Sequence, residues 1–333
     1  MSNKPAATNV KGFDIGTSRI VLAQPAEQGY RYETLLNAFV ALPYSKMTEA
    51  MLRREGILHH VERSEILAYG NRVEEFANIL NGDTRRPMST GFLNPLEPRS
   101  LSMMEVAVRS MAGPAQKGER LCFSVPCGLP DQESDIMYHE QTMTQILESL
   151  GYEVKSLNEG LAVVYSELES SSFTGIGISF GSGMCNICVA YLGLPVLAFG
   201  TARAGDYIDR SAAAVTGKTP TTVRLHKEEL FGLNGFSSNS VDQALSVYYN
   251  DMIRGVVAGL RNALTTTKKL PKFEKPLPVA ISGGSTRVRR FQPEFEKALL
   301  SADLPLEIAE VRLAEDPLNT TARGTLIAAM LDM

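Results

Sequence analysis

Two short stretches of this chain repeat one pattern. Gly12-Phe13-Asp14-Ile15-Gly16-Thr17 and Gly177-Ile178-Ser179-Phe180-Gly181-Ser182 both read glycine, apolar, polar, apolar, glycine, hydroxyl. Each lies between apolar runs, so each predicts a hairpin closed by a tight turn of small residues. Such a turn leaves backbone N–H groups uncovered by side chains, and that concavity suits an anion, phosphate above all. One copy alone is an ordinary hairpin turn. Two matched copies form an internal repeat, and facing each other they would grip a polyphosphate from both sides.

Other residues offer chemistry of their own. Glu159, in Asn158-Glu159-Gly160-Leu161-Ala162, stands at the start of an apolar helix, on the shoulder of a cleft if the repeat makes two lobes. An acid there also simply favours the helix dipole. Gly283-Gly284-Ser285-Thr286 follow the apolar run Val279 to Ser282, and small residues at that place let a flat ring or a sugar lie against the backbone. Cys185 and Cys188 form a C-x-x-C on a strand, where residues three apart face opposite sides. They cannot share a metal, no second pair sits at zinc spacing, and a structural role is expected. His59, His60, His139 and His226 are scattered; solvent-facing or structural places are expected for them.

The elements that must position these residues are of both kinds. Strands are predicted at Val10 to Asp14, Ile20 to Ala23, Leu121 to Val125, Ile176 to Phe180, Ile187 to Tyr191 and Val279 to Ser282. One helical stripe carries Ile136, Met143, Ile146, Leu147 and Leu150, with Gly151 as its stop; another carries Ile253, Val256, Val257, Leu260 and Leu264. Both read as core packing. Mixed periods place the fold in the α/β class, and 333 residues suggest two domains. Polar, turn-rich stretches run from Asn81 to Pro98 and from Gly217 to Asn239. The second reads as an inserted subdomain or an exposed connection.

Bulk properties narrow the function. A formal net charge of -4 gives no electrostatic case for nucleic acid as main partner, despite the local group Arg287, Arg289 and Arg290. Four cysteines argue against a disulfide scaffold. No window is apolar enough for a membrane span, and the polar start MSNKPAATNV has no signal-peptide core, so a cytoplasmic location is expected.

In order along the chain stand D-x-G-T-S, N-E-x-x-A, the glycine hairpin, A-G-D-x-x-D, K-E-x-L, S-G-G-S-T and D-P-L-x-x-x-A-R-G. With these motifs the chain resembles the actin superfamily over nearly its whole length, and within it the bacterial actin homologues MreB and MamK. Glu315 to Met330 is very similar to the closing segment of the MreB family. The resemblance implies an actin-like two-lobed fold with ATP or ADP and Mg2+ in the cleft. Lobe I would span 1–150, with a small subdomain around 32–80, and be completed by 310–333. Lobe II would span 151–309, with a small subdomain around 205–250.

By the same likeness Asp14, Gly16, Thr17 and Ser18 form a first phosphate loop, with Asp14 holding the metal through water. Gly181, Ser182 and Gly183 form a second loop. Glu159 orients the attacking water, Lys227 and Glu228 meet the adenosine, and Gly283, Gly284, Ser285 and Thr286 underlie adenine and ribose. Most members carry an acid where this chain has Ser179. A hydroxyl brings no charge to offset a metal and is a poor proton acceptor, so slow hydrolysis is expected, unless Asp14 and Glu159 suffice and Ser179 is neutral. The implied function is an ATPase that polymerises head to tail with itself, associated with membrane or cargo proteins. The alternative is a non-polymerising, nucleotide-switched adaptor of a membrane, pilus or division assembly. A sugar or acetate kinase of the superfamily would need a substrate-binding insert for which the chain is too short.

Overall fold

The computed structural model describes residues 9–79, 84–128, 133–235 and 237–331. The polar start through residue 8 and the first residues of the stretch from Asn81 lie outside them.

One plan is used twice. In the first half, β1 (Val10–Ile15), β2 (Arg19–Pro25) and β3 (Tyr30–Leu36) form an antiparallel meander. An insertion follows: β4 (Phe39–Pro43), α1 (Lys46–Arg54), β5 (Leu58–Glu62), β6 (Glu65–Tyr69), α2 (Val73–Ile79) and a short hairpin of β7 (Met88–Ser89) and β8 (Phe92–Leu93). Then come α3 (Ser100–Ala112), β9 (Arg120–Val125), α4 (Glu133–Ser149), β10 (Glu153–Asn158) and α5 (Glu159–Glu167). The second half repeats the meander in β11 (Gly175–Phe180), β12 (Cys185–Tyr191) and β13 (Leu194–Thr201). Its insertion is helical, α6 (Gly205–Thr216) and α7 (Pro220–Glu229). It closes with α8 (Ser240–Thr266), β14 (Leu277–Ser282), α9 (Phe291–Leu300), β15 (Ile308–Leu313) and α10 (Thr320–Leu331).

The two sheets have the same order, β3-β2-β1-β9-β10 and β13-β12-β11-β14-β15, with the last two strands parallel to the first of each meander. The first sheet carries α3 and α4 on its outer face around Phe13, Phe123, Met104 and Leu147. The second carries α6, α8 and α9 around Phe180, whose ring meets Phe291 and Phe295 edge-on at 4.9 and 5.3 Å. Such ring pairs add about 0.5–1.5 kcal/mol each beyond area burial.

The inner faces are covered by exchange. Helix α5 follows the first sheet but lies on β11 and β12, while α10 follows the second sheet and lies on β1 and β9. The two helices cross where a Cβ on Gly324 would stand 1.8 Å from the Ala162 carbonyl. Arg323 of α10 pairs with Glu167 of α5 beside that crossing. The first glycine of each sequence repeat belongs to this packing and not to a turn. A Cβ on Gly12 would meet the Leu326 backbone nitrogen at 2.3 Å, and one on Gly177 the Gly160 carbonyl at 2.2 Å.

The predicted stripes on α4 and α8 are packed as expected, with Met143 and Leu147 of α4 and Ile253 through Leu264 of α8 in the cores. Cys185 and Cys188 do face opposite sides of β12, Cys185 toward the outer core and Cys188 toward α5. Two boundaries shift. Strand β10 lies past residue 150 yet edges the first sheet, and β15 lies largely past residue 309 yet edges the second. The reason is the helix exchange, which places each sheet's last strand just before the helix that leaves it. The polar stretch from Gly217 also holds a full helix, α7, capped by Thr219 with Pro220 in its first turn.

Candidate functional site

Both repeated turns end on one cavity of about 260 Å³ between the two sheets. Each turn is closed by the same bond: Gly16 N–H donates to the Arg19 carbonyl and Gly181 N–H to the Met184 carbonyl, both at 3.0 Å. The turns almost touch. A Cβ on Gly183 would lie 2.3 Å from Thr17 Oγ1 and 2.7 Å from the Gly91 nitrogen, so only a glycine lets them approach. The start of α6 braces the second turn, with Gly205 and Asp206 N–H donating to the carbonyls of Gly181 and Ser182 at 3.1 and 2.7 Å.

Two half-buried carboxyls line the cavity side by side. Asp14 Oδ1 accepts from Ser124 Oγ on β9 at 2.7 Å, and that hydroxyl in turn accepts from Ile15 N–H at 3.1 Å. Glu159 is the first residue of α5, set by its neighbour Asn158, whose side chain caps the helix by accepting from Leu161 N–H at 2.7 Å. Ser179 Oγ donates to Glu159 Oε2 at 3.1 Å. Burial pushes the Asp14 carboxyl up, with the Ser124 bond opposing. Burial and then the neighbouring Asp14 charge push Glu159 up, against the pull of Ser179 and Asn186.

Of the residues singled out in the sequence, Asp14, Gly16, Thr17, Ser18, Glu159, Ser179, Gly181, Ser182, Gly183, Lys227, Glu228, Gly283, Gly284 and Ser285 line this cavity. Thr286 does not. It is buried, its hydroxyl turned back to the Gly283 carbonyl at 2.7 Å to close the short helical turn after β14. Gly283 has φ 95°, and a Cβ there would meet the Phe180 carbonyl at 2.4 Å, so glycine is required on both counts. Lys227 reaches the cavity already paired, its Nζ 2.7 Å from Asp209 Oδ2, both side chains buried.

Sequence reasoning missed what closes the cavity. Arg86 of the segment before β7 bridges to Asp206 at 3.0 Å, and Arg224 of α7 bridges to Glu74 of α2 at 2.7 Å. Both join elements of different halves. The only sequence signal for Arg86 and Gly91 was the run Arg86-Pro87 with Gly91 inside a stretch read as a break.

The residues fit a nucleotide and a divalent cation. Two turns with open N–H groups suit phosphates, and a pair of half-buried carboxyls whose negative forms repel each other is relieved by a cation. Among the described residues no group of three or more His, Cys, Asp or Glu could hold a metal ion. Among the described residues no helix is long and apolar enough to cross a membrane.

The sequence matches the volactin family over residues 10–329. No curated protein matches it. Among solved structures the chain is similar to a MamK double helical filament, at 17% identity and TM-score 0.71, over 96% of this chain and 98% of that one. It is similar to MreB 5 of Spiroplasma citri bound to AMPPNP, at 12% identity and TM-score 0.70, over 98% of each chain. The ethanolamine utilization protein EutJ from Carboxydothermus hydrogenoformans follows at 14% identity and TM-score 0.54, over 98% of this chain and 92% of that one. These likenesses give the fold: it is actin-like, of the kind found in bacterial members of that superfamily.

Proposed function

The chain belongs to the volactin family, and on that premise we propose that it binds ATP with Mg2+ between its two turns and assembles head to tail into filaments. The observation that carries this reading is the pair of matched turns meeting over one cavity lined by two half-buried carboxyls. The solved structures add support: one similar protein is a filament and another holds AMPPNP.

In this reading the N–H groups of Thr17, Ser18, Ser182 and Gly183, which the turn-closing bonds of Gly16 and Gly181 leave open, hold phosphate oxygens. The loop from Gly283 to Ser285 and the side of α7 at Lys227 and Glu228 hold the nucleoside. Asp14 holds the metal through water, and the ion when bound neutralises charge on the phosphates. Glu159 orients a water and accepts its proton; Ser179, donating to that same carboxylate, steadies it without accepting a proton itself. Turnover is therefore slow, and it sets the lifetime of the filament. Lobe I comprises the first sheet with its small insertion and α10, and lobe II the second sheet. Head-to-tail contact is heterologous and so open-ended, which lets one chain build a filament without a second protein. The protein works in the cytoplasm, with its own copies as first partner.

One observation favours the adaptor reading: the acid usual at position 179 is absent, as in a protein that needs binding and not turnover. Sedimentation with electron microscopy separates the two, in Mg2+ with ATP, ADP, a non-hydrolysable analogue or no nucleotide. Nucleotide-dependent filaments are expected. Monomers that bind ATP in every condition would overturn the filament reading in favour of the adaptor.

A further inference from the structure

Six cations line the cavity, Arg19, Arg86, Arg224, Lys227, Arg287 and Arg289. Four are engaged: Arg86 with Asp206, Arg224 with Glu74, Lys227 with Asp209, and Arg289 with the Leu230 carbonyl at 2.8 Å. Arg287 is exposed. Arg19 is half-buried, and among the described residues its guanidinium has no hydrogen bond or ion pair.

The position of Arg19 is fixed by the turn it closes. Its carbonyl accepts the Gly16 N–H, so its Cα is tied to the first turn. Along β2 it is two residues before Val21, which is paired with Asp14 across the hairpin. Residues two apart on a strand share a face, and cross-strand partners do too. Arg19, Val21 and Asp14 therefore share the inner face of the first sheet, and all three line the cavity. The internal repeat supplies a control. In the second turn the residue that accepts the equivalent bond is Met184, an apolar side chain 2% exposed. Only one of two otherwise matched turns carries a cation, and among the described residues that cation, like the exposed Arg287, has no protein partner, while it alone of the two is half-buried on the turn itself.

We propose that Arg19 is a phosphate ligand: its guanidinium neutralises part of the nucleotide's polyphosphate charge directly. This rests on the nucleotide reading above and deepens it. Ser179 fits the same picture. A hydroxyl there brings no charge to help hold a metal, and a cation on the opposite turn supplies positive charge that needs no metal. A planar guanidinium presents a fork of donors matched to phosphate oxygens, so the contact is charge-assisted and directional. Nucleotide binding should then retain a component that survives removal of Mg2+, and that component should depend on Arg19.

The test is equilibrium binding of adenosine, AMP, ADP and ATP to the wild-type chain, Arg19→Gln and Arg19→Lys, each in Mg2+ and in EDTA, with thermal melts to confirm folding. Arg19→Gln should weaken ADP and ATP by roughly tenfold to a hundredfold, while adenosine changes by less than about threefold. Arg19→Lys should fall between, and the loss should be larger in EDTA. If wild-type binds ATP and Arg19→Gln binds it as tightly, or loses adenosine and ATP equally, the inference is wrong and the nucleotide reading stands. If the wild-type chain binds none of the four, the nucleotide reading itself fails and takes this inference with it.

Discussion

The turns after β1 and β11 close with the same 3.0 Å bond, and their neighbours on the parallel strand are matched as well. Asp14 is held by Ser124 of β9; Ser179 stands beside Ser282 of β14 in the same register. Ser124 has a carboxylate to donate to. Ser282 has none, and among the described residues its fully buried hydroxyl is without a hydrogen-bond partner. The second sheet thus has room for a donor–acceptor pair like Ser124 and Asp14, but Ser179 turns its hydroxyl to Glu159 instead. An unpaired buried hydroxyl costs on the order of 1–3 kcal/mol. One lobe is built to hold charge and the other to hold a carboxylate steady, although both fold on one template.

The largest effects should come from breaking the template itself. Gly12→Val and Gly177→Val each drive a side chain into the backbone of the helix on the inner face. Each should cost about 3 kcal/mol or more, read by chemical denaturation. Equal losses would support equivalent packing of the exchanged helices; a loss confined to one site would show that the repeat is only a likeness of sequence.

The helices after the first parallel strand differ in a way that pH should expose. In α9 the core positions are Phe291, Phe295 and Leu299, whereas α4 buries His139 beside Met143 and Leu147. Its ring meets Phe92 edge-on, and among the described residues neither ring nitrogen has a partner. Burial pulls the His139 pKa from 6.5 to about 4. Folding therefore keeps the ring neutral while the unfolded chain takes up a proton below pH 6.5, so stability is lost as pH falls toward 4. The expected loss is about 2 kcal/mol between pH 7 and 5. His139→Leu should flatten that part of the profile, and an unchanged profile would place its origin elsewhere.

Ser179→Asp should complete such a pair in the second sheet, with Ser282 donating to the new carboxylate as Ser124 does to Asp14. Turnover should rise by about tenfold, a modest share of what a proton acceptor contributes, and its dependence on Mg2+ should sharpen. Unchanged or lower turnover would show that position 179 does not limit the reaction. The smallest effect belongs to the clasps. Arg224→Gln should loosen the two halves by about 1 kcal/mol, since its pair with Glu74 is only partly buried. It should raise nucleotide off-rates without unfolding the chain, and a double-mutant cycle with Glu74→Gln would isolate the pair.

Much of this was legible in the residues. The repeat of small-residue turns, the placing of Glu159 on α5 and the opposite facing of Cys185 and Cys188 follow from period and spacing alone. Three features were not. The role of Gly12 and Gly177 depends on helices that arrive from the other half of the chain, which no local pattern records. Helix α7 starts from a Thr-Pro cap inside a polar run whose single buried stripe is only Val223 and Lys227, too little for periodicity to show. The clasp residues Arg86 and Arg224 find partners 120 and 150 positions away, a distance at which charge carries no sequence signature. Thr286 was misplaced because a run of small residues looks uniform, while the turn after β14 aims Ser285 at the cavity and folds Thr286 back.

Whether both turns hold one polyphosphate can be read from calorimetric titration of ATP in Mg2+ into the wild-type chain and Gly183→Val. The added side chain would strike Thr17 and the Gly91 backbone, forcing the turns apart with the two sheets intact. Saturable one-to-one binding to the wild type is expected, with a loss of about a hundredfold or more in the variant at temperatures where melts show it still folded. Wild-type protein that binds no ATP, or a variant that binds it as well as the wild type, would contradict the claim.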